Sequence, residues 1–423
     1  MIGEAGHDHA VLAGDLCADP ALLSVVAAQE RTASLIDHPV GEEIVGLAKL
    51  AGRISFGPVV SPTPLPPFDH SAMDGFALAD LGREHVVRAR LAAGAPGGGA
   101  PLNPGEAARI LTGAPLPPGA VTVVMQERVD LSGDHIRLRA TPEPGANIRR
   151  RGEDVRVGEV IVPSGVRLDA RHIAILAAAG VAEACVRRRV VIGLLSTGDE
   201  LLRAGEALRP GKIHDANRPM LAAILDRPSH EVVDLGVAPD DPDALRRLLL
   251  DAAARCDAIV TSGATSVGDE DHLAAAVLAG GGRLELARVA LKPGKPVVAG
   301  RLGGAALIGL PGNPFAALVA HMLIGRVALE RLAGLSPRPF RPLPAAAGFS
   351  QKGPGTRTEF APAALRGVDE RGVLRVEKLG RGGSARLAPL IAADGLAVIP
   401  AGRDEVKPGD AIGFLPFEAA LEL

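Results

Sequence analysis

The stretch Ala258-Ile-Val-Thr-Ser-Gly-Ala-Thr-Ser-Val-Gly-Asp-Glu-Asp271 decides the architecture. Its apolar head, Ala258–Val260, reads as a buried strand. Thr261 and Ser262 follow, Gly263 and Gly268 bracket a loop of small and hydroxyl residues, and three acids lead into an apolar helical pattern from Leu273. Backbone N–H groups at a loop between strand and helix can point at an anion, and glycine lets the chain come close to it. Standing alone, the same stretch also reads as an ordinary surface loop. Its neighbours decide between the two.

Working outward, residues from Arg188 to about Leu335 alternate strand and helix. Val190–Leu195 is a near-continuous apolar run, the pattern of a parallel strand buried on both faces. Helical patterns follow at Pro219–Leu225, Asp243–Ala254, Asp271–Ala279 and, as one long helix, Pro314–Leu332. Strands are expected at Val232–Leu235, Ala258–Val260 and Ala306–Leu310. This order predicts an open, doubly wound α/β domain over residues 188–335. In such sheets ligands bind beyond the carboxyl ends of the strands. Three polar loops fall there: Ser196-Thr-Gly-Asp-Glu200, Thr261–Asp271 and Gly309-Leu-Pro-Gly-Asn-Pro314. Each alone is an ordinary turn, and Asn313-Pro314 fits an N-cap followed by Pro at the first helical position. Three on one edge point to a shared phosphate- or nucleotide-binding crevice.

Charged residues sharpen that reading. Leu291-Lys-Pro-Gly-Lys-Pro296 holds two cations, Lys292 and Lys295, between prolines that fix the backbone and present both to an anion. In Asp240-Asp-Pro-Asp243, Asp241 is explained as a helix cap, which leaves Asp240 without a structural reason. Asp269, Glu270 and Asp271 either complement the helix dipole or hold Mg²⁺ beside a phosphate.

The rest of the chain has different textures. Residues 1–20 read as a loose leader; Ala21–Gln29, Val40–Leu50 and Arg167–Val186 read as helical. Residues 21–50 with 148–187 are therefore expected to form a helical linking domain. Between them, residues 51–147 are dense in Pro and Gly, with β-type runs at Ala107–Leu111, Val121–Met125 and His135–Ala140: a β-rich inserted domain. A proline-rich linker, Ser336–Pro344, opens a tail (residues 336–423) whose runs at Leu374–Lys378, Leu396–Ile399 and Ala411–Phe414 suggest a small barrel or sandwich.

A length of 423 residues corresponds to about three domains. Net charge is −3 with acids and bases intermixed, and Trp and Tyr are absent, which argues against nucleic-acid binding. Cys17, Cys185 and Cys256 are scattered, which speaks against a disulfide framework or zinc site. There is no basic-then-apolar leader and no apolar run of the ~20 residues that span a bilayer, so the expectation is cytoplasmic.

Eight segments, in this order, resemble the molybdopterin molybdenumtransferase family (MoeA and the E domain of gephyrin). They are P-x-P-x-F-D-x-S-A-M-D-G-F-A from Pro64, T-G-A-P-x-P-x-G-A from Thr112, V-V-M-Q-E from Val123, N-I-R-R-R-G-E-D from Asn147, S-T-G-D-E-L from Ser196, T-S-G-x-x-S-V-G from Thr261, K-P-G-K-P from Lys292 and G-L-P-G-N-P from Gly309. The resemblance implies insertion of molybdenum from molybdate into adenylylated molybdopterin, with release of AMP, in a Mg²⁺-dependent reaction. It also implies a homodimer whose sites are shared between subunits. Further implied partners are the separate adenylyltransferase and the enzymes that accept the cofactor. Residue by residue, Ser196, Thr197, Gly198, Asp199, Thr261, Ser262, Gly263, Ser266, Gly268, Lys292, Lys295, Pro311, Gly312, Asn313, Pro314 and Arg357 match substrate-binding positions. Asp271 matches a Mg²⁺ ligand, and Asp74, Thr112, Asp154, Glu200 and Asp240 match positions needed for activity. Asp74 and Thr112 would come from the partner subunit. Arg149–Arg151 are candidates for positioning the oxyanion.

Three departures stand out. Ala264 replaces the second glycine of the usual S-G-G, His272 stands where an aromatic, usually Tyr, is common, and Leu387-Ala-Pro389 replaces serines that often follow Gly383-Ser384. Two other readings remain. One is the related adenylyltransferase, whose fold resembles the α/β domain alone; the other is a non-catalytic dimeric scaffold. The β-rich and barrel domains speak against the first, and the retained carboxylates against the second.

Overall fold

The computed structural model describes residues 22–94, 99–263, 272–337 and 341–418, which form two compact units. The first comprises the described residues up to Glu43, Gly52–Phe56 and those from Arg187 onward; the second comprises Ile44–Ala51 and Gly57–Val186.

A six-stranded sheet organises the first unit. Its strands are β1 (Val190–Thr197), β2 (His230–Ala238), β3 (Ala258–Ser262), β4 (Arg283–Arg288), β5 (Pro296–Leu302) and β6 (Ala305–Leu310), in spatial order β2-β1-β3-β6-β5-β4. The first four in that order are parallel. From β1 the chain goes to β2 on one side and then returns to β3 on the other, so the order reverses between β1 and β3. Beyond β6 the sheet continues antiparallel through β5 and β4. Neither of these two strands is foreshadowed by the strand–helix alternation. The signal that existed was Gly303-Gly304, which joins Leu302 to Ala305 as a two-residue hairpin turn.

Helices cover both faces, as the continuous apolar runs require. On one face α1 (Asn217–Leu225) and α4 (Pro314–Ala320) bury Leu221, Leu225, Phe315 and Leu318 against Ile192, Leu194, Val260 and Ile308. On the other, α2 (Pro242–Arg255) and α3 (His272–Ala279) bury Leu245, Leu249, Leu273 and Val277 against Leu195, Ile259 and Leu307. Asp241 caps α2 as expected, its Oδ1 accepting from Ala244 N at 2.6 Å, with Pro242 in the first turn. The long helix expected over Pro314–Leu332 is interrupted: His321–Gly325 is π-helical and Arg326–Leu332 resumes the α-helix. The buried His321 ring packs against Gly325, where a β-carbon would lie 2.8 Å from Nδ1. Helix Val25–Ser34 also belongs to this unit, starting later than the apolar pattern suggested because Ser24 Oγ caps it through Ala27 N.

Five strands, Leu343–Ala347, Thr358–Val368, Leu374–Lys378, Gly395–Ile399 and Ala411–Pro416, each pair with two others and close a small barrel. Phe360, Leu396, Val398 and Leu415 join the same core as Phe315, so barrel and α/β sheet share apolar packing. Lys292 contributes as well: Leu291–Lys292 pairs in parallel with Thr358–Glu359.

In the second unit a six-stranded sheet runs Thr122–Met125, Gly75–Leu78, Glu106–Ile110, Glu84–Leu91, His135–Leu138, Val129–Ser132. Apolar clusters lie on both faces, around Ala77, Ile110 and Val123 and around Phe76, Leu78 and Val124. The helical expectation for the flanking segments needs correction. Val40–Leu50 forms the strand Glu42–Gly46 and a 3₁₀ turn, and Arg167–Val186 holds the helix Ala170–Ala178 followed by a strand, Glu183–Arg187. Alternating burial of Ala184 and Val186 has the strand period of two. Among the described residues no helix is long and apolar enough to cross a membrane.

Candidate functional site

The sheet reversal between β1 and β3 brings the three predicted loops together. Gly263 follows β3 with φ +121°, and a β-carbon there would run into the carbonyl of Thr197 at the end of β1. Its N–H donates to Leu310 O (3.3 Å) at the end of β6, and Gly312 lies so close that its β-carbon would stand 3.5 Å from Gly263 Cα. Only glycine at Gly263 permits this convergence. Ala264, Ser266, Gly268 and Asp271 lie outside the described residues.

Ser196, Thr197, Thr261 and Ser262 are 0–4% exposed, so their side chains form the floor of the crevice rather than its open wall. The Ser196 and Thr261 hydroxyls have no partner among the described residues. Asn217, unremarked in the sequence, lies in this floor: its Nδ2 donates to Ser262 Oγ (2.6 Å) and to Gly312 O (2.7 Å).

At the rim, Asp199 and Asp240 brace one another. Asp199 N donates to Asp240 Oδ2 (3.1 Å) and Asp240 N to Asp199 Oδ1 (3.2 Å). Asp240 thus has the structural reason that sequence reasoning did not find. Lys212 Nζ donates to Asp199 O, and the exposed Glu200 carboxylate folds against Gly198.

Beside the Gly309–Pro314 loop opens a cavity of about 550 Å³ between the α/β sheet and the barrel. Lys292, Lys295, Pro311 and Asn313 line one side; Arg357, Lys378, Arg381, Ser384 and Arg386 line the other. Its one lining carboxylate among the described residues, Glu359, is 6% exposed and already engaged: Lys292 Nζ reaches Oε2 at 2.8 Å and Lys378 Nζ reaches Oε1 at 2.9 Å. Burial pushes the Glu359 carboxyl up, but the two ammonium groups outweigh it and hold it below the usual range. Six cations against one paired acid give the cavity lining an excess of positive charge, the electrostatics that suit an anion. Asn313 stands at the N-cap of α4 yet makes no cap bond; its Nδ2 donates instead to Ser384 Oγ (2.9 Å), and Phe315 N donates to Ser384 O (3.1 Å). The barrel loop is thereby pinned to the sheet edge. Arg357 Nη1 donates to Leu291 O (3.4 Å).

In the second unit the structure joins Asp74 and Thr112. Thr112 N (2.7 Å) and Oγ1 (2.8 Å) both donate to Asp74 Oδ1, and these two bonds, the backbone one foremost, hold the carboxyl below its ordinary range. Asp74 is followed by Gly75, whose β-carbon would strike the Val124 carbonyl. Asp154 is exposed, its N–H on Leu65 O (3.0 Å). Of the arginine run, Arg149 pairs with Glu153 and Arg150 with Asp69 (2.7 Å).

Glu359, Lys378, Arg381 and Arg386 were not singled out by sequence reasoning. A single acid opening a strand gives no hint that two lysines, 67 and 19 residues away, will surround it.

Fold and site define a multidomain α/β protein with a barrel docked at its sheet edge and a cation-lined cavity between the two. Known proteins share this organisation. Residues 23–180 match the MoeA N-terminal region (domain I and II), residues 193–331 the probable molybdopterin binding domain, and residues 344–417 the MoeA C-terminal region (domain IV). The molybdopterin molybdenumtransferase of Haemophilus influenzae is 34% identical over 408 residues, covering 95% of this chain and 100% of that protein. Molybdopterin molybdenumtransferase 2 of Mycobacterium tuberculosis is 35% identical over 379 residues, 86% of this chain and 92% of that one. The crystal structure of the molybdopterin biosynthesis MoeA protein from Pyrococcus horikoshii OT3 superposes with a TM-score of 0.77 at 27% identity, over 93% of this chain and 99% of that chain. The chain belongs to the molybdopterin molybdenumtransferase (MoeA) family.

Proposed function

We propose that the chain inserts molybdenum from molybdate into adenylylated molybdopterin and releases AMP. The observation that carries this reading is the cationic cavity opening beside the glycine loops, since both substrates are anions. Residues Thr197–Asp199, Thr261–Gly263 and Pro311–Pro314 form the adenylate side at the sheet edge, where the Gly312 and Asn313 N–H groups, without an acceptor among the described residues, are the backbone donors left to an anion. Lys295 and Arg357 face the oxyanion and phosphate charge, and Lys292 serves through its pairing with Glu359. Asp74, Thr112, Asp154, Glu200 and Asp240 orient water and carry protons as oxygen leaves molybdenum. In a cytoplasmic homodimer Asp74 and Thr112 would act in the partner's site.

Mg²⁺ fits the donor set at the rim. Asp199 and Asp240 each use one oxygen in their mutual bracing and leave the other without a partner among the described residues, and Mg²⁺ takes one or two carboxylates with phosphate oxygens and waters. Asp271, the ligand implied by resemblance, lies outside the described residues. Bound at the rim, the ion would neutralise charge on the departing phosphate.

AMP release from adenylylated molybdopterin, with and without molybdate, tests the proposal. Molybdate-dependent AMP release is expected. Pyrophosphate release from ATP and molybdopterin instead would assign the chain to adenylyl transfer, and neither activity would leave a scaffold.

A further inference from the structure

Asn217 opens α1 at 6% exposure, and every part of it but one atom is committed. Its backbone N–H donates to Asp215 Oδ1 (3.0 Å), which also accepts from Arg218 N (3.1 Å). Asp215 is itself 5% exposed and takes Arg218 Nε at 3.3 Å, so the start of the helix is fixed from two sides. Both side-chain N–H bonds then reach across: one to Ser262 Oγ, where β3 ends, the other to Gly312 O, in the loop after β6. Oδ1 remains buried with no partner among the described residues. The Gly312 carbonyl can only accept, which fixes the amide orientation.

A buried, unpartnered oxygen costs stability, and an apolar side chain here would avoid that cost. What the amide alone supplies is a fixed spacing between two loops from different strands. We infer that Asn217 is a positioning residue: it sets the separation of Ser262–Gly263 from Gly312–Asn313, and so the fit of the crevice to the adenylate group. The inference rests on the proposed role of these loops in holding adenylate.

Two readouts on the full-length chain test it. The first is hydrogen exchange at the Gly263 amide, which bonds Leu310 O and needs no ligand. Asn217→Ala should exchange faster there, with distant β1 and β2 amides unchanged; equal exchange overturns the clamp. The second is AMP binding by calorimetry, together with KM and kcat for AMP release. Loss of two hydrogen bonds should weaken AMP about tenfold and raise KM similarly, with kcat within about threefold of wild type. A merely structural role would instead lower the active fraction and the melting temperature while leaving KM and AMP affinity unchanged, and that result overturns the inference. Should Asn217→Ala fail to fold, Ser262→Ala removes one arm only; faster exchange at the Gly263 amide supports the clamp, and unchanged exchange overturns it. Wild-type chain that binds no AMP would overturn the adenylate reading, a failure distinguishable because the exchange experiment still decides the clamp itself.

Discussion

Lys292 stands opposite Glu359 in a two-residue parallel pairing, with Nζ 2.8 Å from Oε2, so the lysine-bearing loop of the sheet edge is stitched to the barrel. Glu359 is the hub, since it also takes Lys378 at 2.9 Å and Gln351 Nε2 at 3.3 Å. Glu359→Ala leaves two ammonium groups close together without their counter-ion. The Lys292 side chain is 43% exposed, so water offsets part of the loss, and a destabilisation of about 2 kcal/mol is expected from urea unfolding. Lys292→Met, which leaves Glu359 paired with Lys378, should cost less. Equal losses would show that the hub is not Glu359.

Lys295 lines the same cavity, but its ammonium has no hydrogen-bond or ion-pair partner among the described residues. Removing it should therefore spare stability and damage binding. Lys295→Ala is expected to unfold at the wild-type urea midpoint and to raise KM for the adenylylated substrate at least about tenfold, the scale of one lost charged hydrogen bond. A shifted midpoint with unchanged KM would reassign Lys295 to the fold.

The Asp74 carboxylate is held ionised by two donors from Thr112, of which only the hydroxyl can be mutated away. Thr112→Val keeps the backbone bond, so the Asp74 pKa should rise but stay short of an unengaged aspartate. If ionised Asp74 is needed for turnover, activity lost as pH falls should be lost at a higher pH in Thr112→Val. Superimposable acid limbs would remove Asp74 as the titrating group.

Legibility in the sequence followed the range of the interactions. Val190–Leu195 and Ala258–Val260 announced a doubly wound sheet because burial on both faces leaves its mark on consecutive residues. Asp241-Pro242 announced a cap because capping is local. The β4–β5 ribbon was missed because its strands pair through register rather than composition, and Val40–Leu50 was misread because a short apolar run suits helix and strand equally. In the site, the glycine loops were readable and their convergence on Gly263 followed from topology. Asn217 and Glu359 were not readable, because each acts across dozens of residues on partners that only the folded chain supplies.

His321 carries the last prediction. It is 4% exposed within the π-helical turn, with Nδ1 unpartnered among the described residues, and burial foremost, then the charges of His230, Arg326 and Arg227, lowers its pKa to about 4. An unfolded histidine titrates near 6.5, so between these values the unfolded chain binds the proton and the folded chain does not. The stabilising contribution is whole above about pH 6.5, falls as pH drops, and is lost once pH passes about 4. The difference amounts to roughly 3 kcal/mol. Urea midpoints at pH 7.5 and pH 5 should therefore differ more in wild type than in His321→Leu, even though the leucine variant is less stable at pH 7.5 if its packing on Gly325 is imperfect. Glu359 does not confound this window, because its carboxyl is held below the ordinary range and its contribution is lost only at lower pH. Equal pH dependence in both proteins would show that the imidazole is charged in the folded chain, in contradiction to its burial.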